Sequence, residues 1–218
     1  MNFSIDGSRC TRFTVTWKLF VAEGPNKPLN NYDFLEQEFE IREVQKHWYY
    51  KLSQFHYVNV ELPSVVRKVF GLFHKATGIL YGAIVYSAPS LEITARNKTP
   101  LGAALKRVKN RSERYSFVNK WITYVSRIVI HPSLRGIGAA SYLIENTWRK
   151  AGTRFVEMMG TMMYYSNFLP KSYAYYFKVE KELPQQDMYP KPTEKAAMQR
   201  RLKSPIMRYG YALFIAAK

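Results

Sequence analysis

Two apolar runs separated by a short polar turn form the clearest pattern of hydrophobic and polar positions in the chain. Val69–His74 is predicted as one strand, Lys75–Gly78 as the turn, and Ile79–Tyr86 as the second strand. Two such runs joined by a short turn that contains glycine are typical of an antiparallel β-hairpin. The proline-containing segment Ser87–Ser90 ends this hairpin.

A strand, a turn, a helix and another strand are predicted in succession after this hairpin. They span Ile122–Ile130, His131–Gly138, Ala139–Ala151 and Arg154–Met163. One face of the helix is predicted to be buried because its members recur at helical spacing: Leu143, Ile144, Thr147 and Trp148. A strand–helix–strand order favours a parallel strand pair with a crossover helix.

The remaining elements are predicted from less regular patterns. Phe13–Val21 alternates as a strand does, and residues 206–216 form a final strand. Asp33 is predicted to cap a helix whose apolar positions are Phe34, Leu35, Phe39, Val44 and Trp48. Residues 96–120 are predicted as a long loop with one short helix, and long loops inside a compact domain are often functional.

These elements fit a single α/β domain of 218 residues. Its predicted parts are a strand and helix extension at 1–58, a core at 59–180, and a loop with a C-terminal strand at 181–218. No stretch of about 18 apolar residues occurs, so no membrane span is expected. The single cysteine, Cys10, leaves no internal disulfide framework. We therefore predict a cytoplasmic monomer or homodimer, in the host cytoplasm if a virus encodes the chain.

The formal charge of +17 is unevenly distributed. Residues 1–63 hold seven Lys/Arg and eight Asp/Glu, so residues 64–218 carry +18. A field of this sign attracts polyanions and predicts a nucleic-acid partner. Seven side chains of the 96–120 segment are predicted to contact phosphates: Arg96, Lys98, Lys106, Arg107, Lys109, Arg111 and Arg114. The alternative is a solvated basic insertion without a polyanion partner.

The turn before the predicted helix Ala139–Ala151 carries the most specific chemistry. Gly136 and Gly138 lack a Cβ, so the backbone there can approach an anion closely. Unpaired N–H groups at a helix start carry a partial positive charge, and Arg135 adds a full one. Together these features predict a pyrophosphate-binding turn. It is not a P-loop, because no Gly-Lys-Ser/Thr follows.

The spacing Arg135-x-x-Gly138-x-Ala140, preceded by a His-Pro turn, resembles the coenzyme A loop of the GNAT acetyltransferases. The resemblance implies a mixed, mostly antiparallel sheet with a splayed parallel strand pair and flanking helices. It implies acetyl-CoA, or another acyl-CoA, as the cofactor. The residues it assigns to cofactor binding are Ile128, Val129, Ile130, Arg135, Gly136, Ile137, Gly138, Ala139, Ala140 and Asn167.

The same resemblance implies a general base and a general acid. The family often uses an acidic residue of the fourth strand, or water, as the base, and the fourth strand of this chain carries no acidic residue. Glu157 on the fifth strand is one candidate base, and His56 is another. An unperturbed imidazole titrates near pH 6.5, roughly where a base is useful. The acid falls among three tyrosines: Tyr173, Tyr175 and Tyr176. Each of these five side chains also has an ordinary structural interpretation. The four histidines and one cysteine lack ligand spacing, so no metal site is predicted.

A narrower resemblance rests on Phe55–Tyr57, Tyr86–Ser90 with Arg96-Asn97, and Ser126–Pro132. These segments look like one branch of the family, the GNAT-like domains fused to ABC-type ATPases and the phage Mom-type DNA-modification proteins. The branch implies acylation of a base or amino group on DNA or RNA. Two alternatives stay open: a transferase that acts on a small-molecule or protein amine, and a nucleic-acid-binding module that has lost catalysis.

Overall fold

A computed structural model describes residues 2–4, 14–16, 32–56, 61–165, 168–170, 172–182 and 206–216. In these ranges the strands are β1 Asn2–Ser4, β2 Thr14–Thr16, β3 Phe39–Val44, β4 Val66–His74, β5 Leu80–Ser87, β6 Ile122–Ile130, β7 Phe155–Gly160, β8 Tyr175–Glu182 and β9 Ile206–Ile215. The α-helices are α1 Asp33–Glu38, α2 His47–Tyr50, α3 Pro100–Arg107, α4 Arg111–Trp121, α5 Ala139–Thr147 and α6 Met162–Tyr165. Most of the strand predicted at 13–21, together with Asn167, lies outside the described residues.

Seven of these strands form one mixed sheet in the order β3-β4-β5-β6-β7-β9-β8. Neighbouring strands are antiparallel except β6 and β7, which are parallel and connected through α5. β4 and β5 form the predicted hairpin, and β9 is the predicted final strand. The predicted fold class is therefore confirmed: a mostly antiparallel sheet with one parallel pair and flanking helices. β1 and β2 pair separately with each other.

The parallel pair is a fork, because β6 and β7 stay together over four residue pairs only. Pairing runs from Ile122 opposite Phe155 to Val125 opposite Met158. Beyond that point β6 continues to Ile130 alongside β5 alone. A register shift against β5 leaves one extra residue in β6, as a β-bulge does, where the strands part. The predicted splay between the two parallel strands is therefore present.

Successive strand residues point to opposite faces of the sheet, which produces a two-sided core. In β7, Val156 packs on the first face with α5, whereas Phe155 packs on the second face with residues of α3 and α4. α2 covers the β4–β5 end of the second face. The helix positions predicted to be buried are all buried: Leu143, Ile144, Thr147 and Trp148. α5 ends at Thr147 and a 3-10 turn completes the predicted span to Ala151.

The helix predicted from Asp33 through Trp48 is wrong beyond Glu38. Phe39–Val44 is strand β3, paired along its whole length with β4. Phe39 is buried and Ile41 half-buried on the same face, an alternation that fits a half-buried edge strand. The backbone hydrogen bonds offered by β4 outweighed the helical spacing of the apolar residues. Asp33 is the first helical residue of α1, not its cap.

The predicted long loop at 96–120 is also wrong, because the segment folds into α3 and α4. Thr99 caps α3 by accepting a 3.2 Å hydrogen bond from the Gly102 amide, and Pro100 occupies the first helical turn. Asn110 caps α4 by accepting a 2.9 Å bond from the Ser112 amide. These capping residues were visible in the sequence as helix-start signals. None of the described helices has both the length and the apolar character required to cross a membrane.

Candidate cofactor cleft

The fork between β6 and β7 opens into a cleft of about 460 Å³. One wall is β6 from Tyr124 to Ile130, and the other is β7 from Met158 to Gly160. Because β6 has a strand partner on one side only after Val125, its β7-facing edge borders the cleft. An extended ligand arm can therefore lie along β6 as an additional strand would.

Arg135 lines this cleft beside the last residue of β6. Its Nε donates to the Ile130 carbonyl at 3.1 Å, and its Nη2 donates to the Phe55 carbonyl at 2.8 Å. The side chain thus ties the end of β6 to the turn at residues 53–56. A guanidinium held in this way keeps a positive charge at the cleft, where it can face an anion.

The two loop glycines have the backbone that the sequence required. Gly136 and Gly138 both have φ of +86°, in the left-handed region that disfavours any residue with a Cβ. A Cβ on Gly136 would meet open space, whereas one on Gly138 would lie 3.4 Å from the ring of Tyr32. The Tyr142 amide bonds to the Gly138 carbonyl at 2.9 Å, so α5 starts directly after the loop. The first amides of α5 therefore have no acceptor within the helix.

Apolar and polarisable side chains line the β7 side of the cleft. They are Met158, Met159, Met162, Met163 and Phe168. Methionine is flexible and adapts to irregular apolar surfaces. This wall therefore suits an alkyl or thioether-like ligand segment better than a highly charged one.

Of the five residues predicted as the base or the acid, His56 is the one that lines the cleft. It follows Phe55, whose ring contacts His131 edge-on with centroids 4.9 Å apart. His131 itself supports the turn, because its Nδ1 lies 2.7 Å from the Ser133 hydroxyl. The structure therefore brings His56 and Arg135 to the same cleft.

Glu157 is fully buried, and both of its carboxylate oxygens are engaged. The Arg96 Nε and Nη2 donate to Oε1 and Oε2 at 2.6 and 2.7 Å, and the Tyr211 hydroxyl donates to Oε1 at 2.7 Å. The same guanidinium donates to the carbonyls of Ser90 and Leu91. Burial, and then the adjacent carboxylate, raise the pKa of Tyr211 well above its usual range, so it stays a neutral donor. This arrangement is that of a structural ion pair, and it does not favour Glu157 as a base.

The tyrosines predicted as the acid do not reach the cleft lining. Tyr175 packs on the second face of the sheet, and burial raises its pKa. Tyr173 packs on the first face against Tyr176, with ring centroids 5.5 Å apart. The Tyr176 hydroxyl donates to the backbone carbonyl of Met163. Among the tyrosines that the structure describes, Tyr124 lines the cleft instead, and its place on the predicted fourth strand was the available signal.

Arg96 has to be removed from the predicted nucleic-acid contacts, because it is 2% exposed and bonded to Glu157. Arg114 is half-buried near Glu92, with 4.0 Å between Nη1 and Oε1. The remaining five predicted contacts are exposed: Lys98, Lys106, Arg107, Lys109 and Arg111. We call these five residues the basic surface. It lies on α3 and α4 and the turns that precede them, on the second face of the sheet.

Comparison with known proteins gives structural matches only. No protein-family model and no curated protein matches the sequence. The ribosomal-protein-S18-alanine N-acetyltransferase of Escherichia coli matches with TM-score 0.38 at 8% identity, covering 83% of this chain and 95% of that one. A GNAT family acetyltransferase of Elizabethkingia anophelis with acetyl-CoA bound matches with TM-score 0.38 at 7% identity. The match covers 82% of this chain and 99% of that one. An IAA acetyltransferase of Bacillus cereus matches with TM-score 0.39 at 8% identity, and the match covers 82% of this chain and 99% of that one.

Proposed function

We propose that this protein is a coenzyme A-dependent N-acyltransferase that uses acetyl-CoA or another acyl-CoA as donor. One observation carries the proposal: the fork between β6 and β7 opens directly beside the glycine loop that starts α5. A diphosphate fits the loop, and an extended arm fits the fork. The residues present therefore suit both the charged and the uncharged parts of coenzyme A.

Different residues are proposed to bind different parts of the cofactor. The amides of residues 136–140 and the Arg135 guanidinium would hold the diphosphate. The edge of β6 at Ile128–Ile130 would bond the amide groups of the arm, and the methionine wall would exclude water from it. The bound cofactor supplies an acyl group activated as a thioester. An amide of β6 that faces the cleft would polarise the thioester oxygen.

His56 is the proposed base, since it is the predicted catalytic residue on the cleft wall. An acceptor amine attacks only after losing a proton, and a neutral imidazole can take that proton. Attack forms the C–N bond and breaks the C–S bond. If the arm of a cofactor held at Arg135 followed β6 towards Tyr124, the acceptor would have to enter the cleft close to the fork.

Gly136→Asp tests the diphosphate assignment. The added carboxylate would lie in open space beside the loop amides and repel a diphosphate, so we expect acetyl-CoA affinity to fall by about 100-fold or more, on the scale of charge-assisted hydrogen bonds. Isothermal titration calorimetry with acetyl-CoA measures this loss. Gly152→Asp is the matched control, because Gly152 has φ of +82° and the same open surroundings but follows the end of α5 instead of lying in the loop that starts it. Equal losses in both variants, or no acetyl-CoA binding to the wild type, would overturn the assignment.

For the acceptor, we propose an amine on nucleic acid. The basic surface supports this: its five cations are exposed on α3, α4 and the turns that precede them, on the face that also carries Tyr124. Exposed aromatic side chains next to cations can stack on bases, and Tyr115 on α4 is 47% exposed. A base in a duplex would have to be flipped out to reach the cleft.

Lys106→Gln with Arg107→Gln tests this acceptor. Removing two phosphate contacts should weaken binding of duplex DNA or RNA and reduce the slope of log K against log salt by about 1.8 for B-DNA. Fluorescence anisotropy across a salt series measures both effects. Lys46→Gln with Lys150→Gln removes the same charge at exposed positions away from α3 and α4. An identical change in this control, or no nucleic-acid binding by the wild type, would favour a small-molecule or protein amine instead.

A further inference from the structure

A second, smaller pocket lies between α3, α4 and the segment 91–97. Its volume is about 150 Å³. Pockets for whole small molecules begin at about 300 Å³, so this one suits a single chemical group and not a nucleoside. The polar and charged residues that line it are Glu92, Arg96, Asn97, Lys106 and Arg114. We call this cavity the α3–α4 pocket. Lys106 also belongs to the basic surface, so the pocket borders that surface.

Arg114 is a lining residue with an available donor. Its Nε is buried and has no hydrogen-bond partner within the part of the chain that the structure describes. Its Nη1 is 4.0 Å from Oε1 of Glu92, which is too long for a hydrogen bond. A buried N–H without a partner is unfavourable, so a ligand that accepts from it gains more than one that meets a solvated donor. Arg114 is therefore suited to bind an anion.

The shape of a guanidinium determines which anion it binds well. Nε and one Nη lie on one edge and donate in parallel, which matches two oxygens of a phosphate or a carboxylate. Arg96 shows this geometry in the same chain, because its Nε and Nη2 donate to both oxygens of Glu157 at 2.6 and 2.7 Å. In Arg114 the atom nearest the Glu92 carboxylate is Nη1. Glu92 therefore does not occupy the edge that carries Nε and Nη2.

The charges around the pocket favour a phosphate. Glu92 is the carboxylate among the described lining residues that has no close cation, and its side chain is 74% exposed. Lys106 and Arg114 face it with two positive charges, whereas Arg96 is already balanced by Glu157. The other members of the basic surface add to this excess: Lys98, Arg107, Lys109 and Arg111. A phosphate group carries more charge than a carboxylate or presents more acceptor oxygens, so it gains more from these cations.

The pocket is also held at a fixed position relative to the cleft. The Arg96 guanidinium makes four hydrogen bonds, two to Glu157 and one each to the carbonyls of Ser90 and Leu91. Glu157 lies on β7 opposite Tyr124, one residue pair before the fork. The buried ion pair thus attaches the wall of the pocket to a strand that borders the cleft. Contacts to phosphates fix the register of a nucleic acid on a protein.

We propose that the α3–α4 pocket binds a phosphate group, with Arg114 as its bidentate ligand and Lys106 as a second cation. The phosphate belongs to the nucleic-acid acceptor, and this part of the inference rests on the acceptor proposed above. A phosphate bound there would set which nucleotide of the strand reaches the cleft. Arg96 acts as a positioning residue, because its donors are engaged by Glu157 and the two carbonyls.

Titration with inorganic phosphate tests the site without coenzyme A or nucleic acid. The Nε–H resonance of Arg114 can be identified in a proton–nitrogen correlation spectrum by its loss in Arg114→Gln. We expect this resonance to shift saturably with sodium phosphate and to stay in place with sodium chloride at the same ionic strength. An equal shift with both salts would show ionic screening alone and would overturn the site.

Three variants, compared through the backbone amide shifts of α3 and α4, test the role of each charge. Arg114→Gln should weaken phosphate binding by about 10-fold or more, the scale of a hydrogen bond to a charged group. Lys120→Gln removes the same charge from α4 six residues later, about 9 Å along the helix, and should change the affinity by less than about twofold. Glu92→Gln should tighten binding by about two- to fivefold, because it removes the opposing carboxylate at an exposed position. Unchanged affinity in Arg114→Gln, or weaker binding in Glu92→Gln, would contradict the proposal.

Two oligonucleotides of one sequence, with a 5′-phosphate or a 5′-hydroxyl, identify the source of the phosphate by fluorescence anisotropy. A terminal phosphate in the pocket predicts that the wild type prefers the phosphorylated strand by about 10-fold and that Arg114→Gln loses this preference. An internal phosphate predicts that Arg114→Gln weakens both strands equally. If the variant weakens neither strand while losing inorganic phosphate, the link to nucleic acid is wrong. Because none of these measurements uses coenzyme A, failure of the proposed acyl transfer would be seen separately.

Discussion

Replacing Arg96 with methionine is expected to lower the free energy of unfolding by about 3–5 kcal/mol, because it leaves the Glu157 carboxylate buried without its cation. The two side chains are 2% and 0% exposed and share two hydrogen bonds. Urea unfolding followed by circular dichroism measures the change. This is one of the two largest effects we expect from a single substitution in the chain.

A combined variant separates the cost of leaving a carboxylate buried without its cation from the net contribution of the ion pair to the free energy of unfolding. The combined variant Arg96→Met, Glu157→Met and Tyr211→Phe removes the cation, the carboxylate and the hydroxyl together. It should recover most of the stability, since replacing a buried ion pair by apolar residues is often neutral or stabilising. Arg149→Met is the control: Arg149 pairs with Glu145 at 3.1 Å but is 60% exposed, so its loss should cost less than about 1 kcal/mol. Equal losses for Arg96→Met and Arg149→Met would contradict the prediction.

Gly102→Ala is expected to destabilise the protein by about 3 kcal/mol, although alanine is ordinarily the better helix former by about 1 kcal/mol. A Cβ at this position would lie 2.1 Å from the backbone carbonyl oxygen of Arg96 and 2.6 Å from the Cα of Asn97. Neither atom can rotate away, so α3 must move off the turn that precedes it. The same measurement of unfolding in urea reports the sign directly.

Gly160→Ala serves as the control for Gly102→Ala. Its Cβ would meet only the Met163 sulfur at 3.9 Å, an ordinary contact, so the free energy of unfolding should change by less than about 1 kcal/mol. A stabilising Gly102→Ala would show that α3 does not pack against residues 96 and 97 as described. Because Arg96 precedes α3, both large effects report on the attachment of the basic surface to the sheet.

The sequence by itself determined the elements whose signals are local. The β4–β5 hairpin, β6 and α5 follow from apolar periodicity and turn residues within about 20 positions, and α5 needed only its repeat of buried side chains. The glycine loop was equally visible, because a left-handed backbone at Gly136 and Gly138 is a property of the residues themselves. The capping residues Thr99 and Asn110 were visible too, and they should have predicted α3 and α4.

Only the tertiary structure decided the rest, because it depends on pairs of residues far apart in the chain. Arg96 and Glu157 are 61 positions apart, and nothing local distinguishes Arg96 from the exposed cations that follow it. β3 is a strand because β4 offers it a partner, although its apolar spacing also suited a helix. The position of Tyr124 at the fork likewise depends on where β6 and β7 cease to pair. That point is a long-range property that no periodicity encodes.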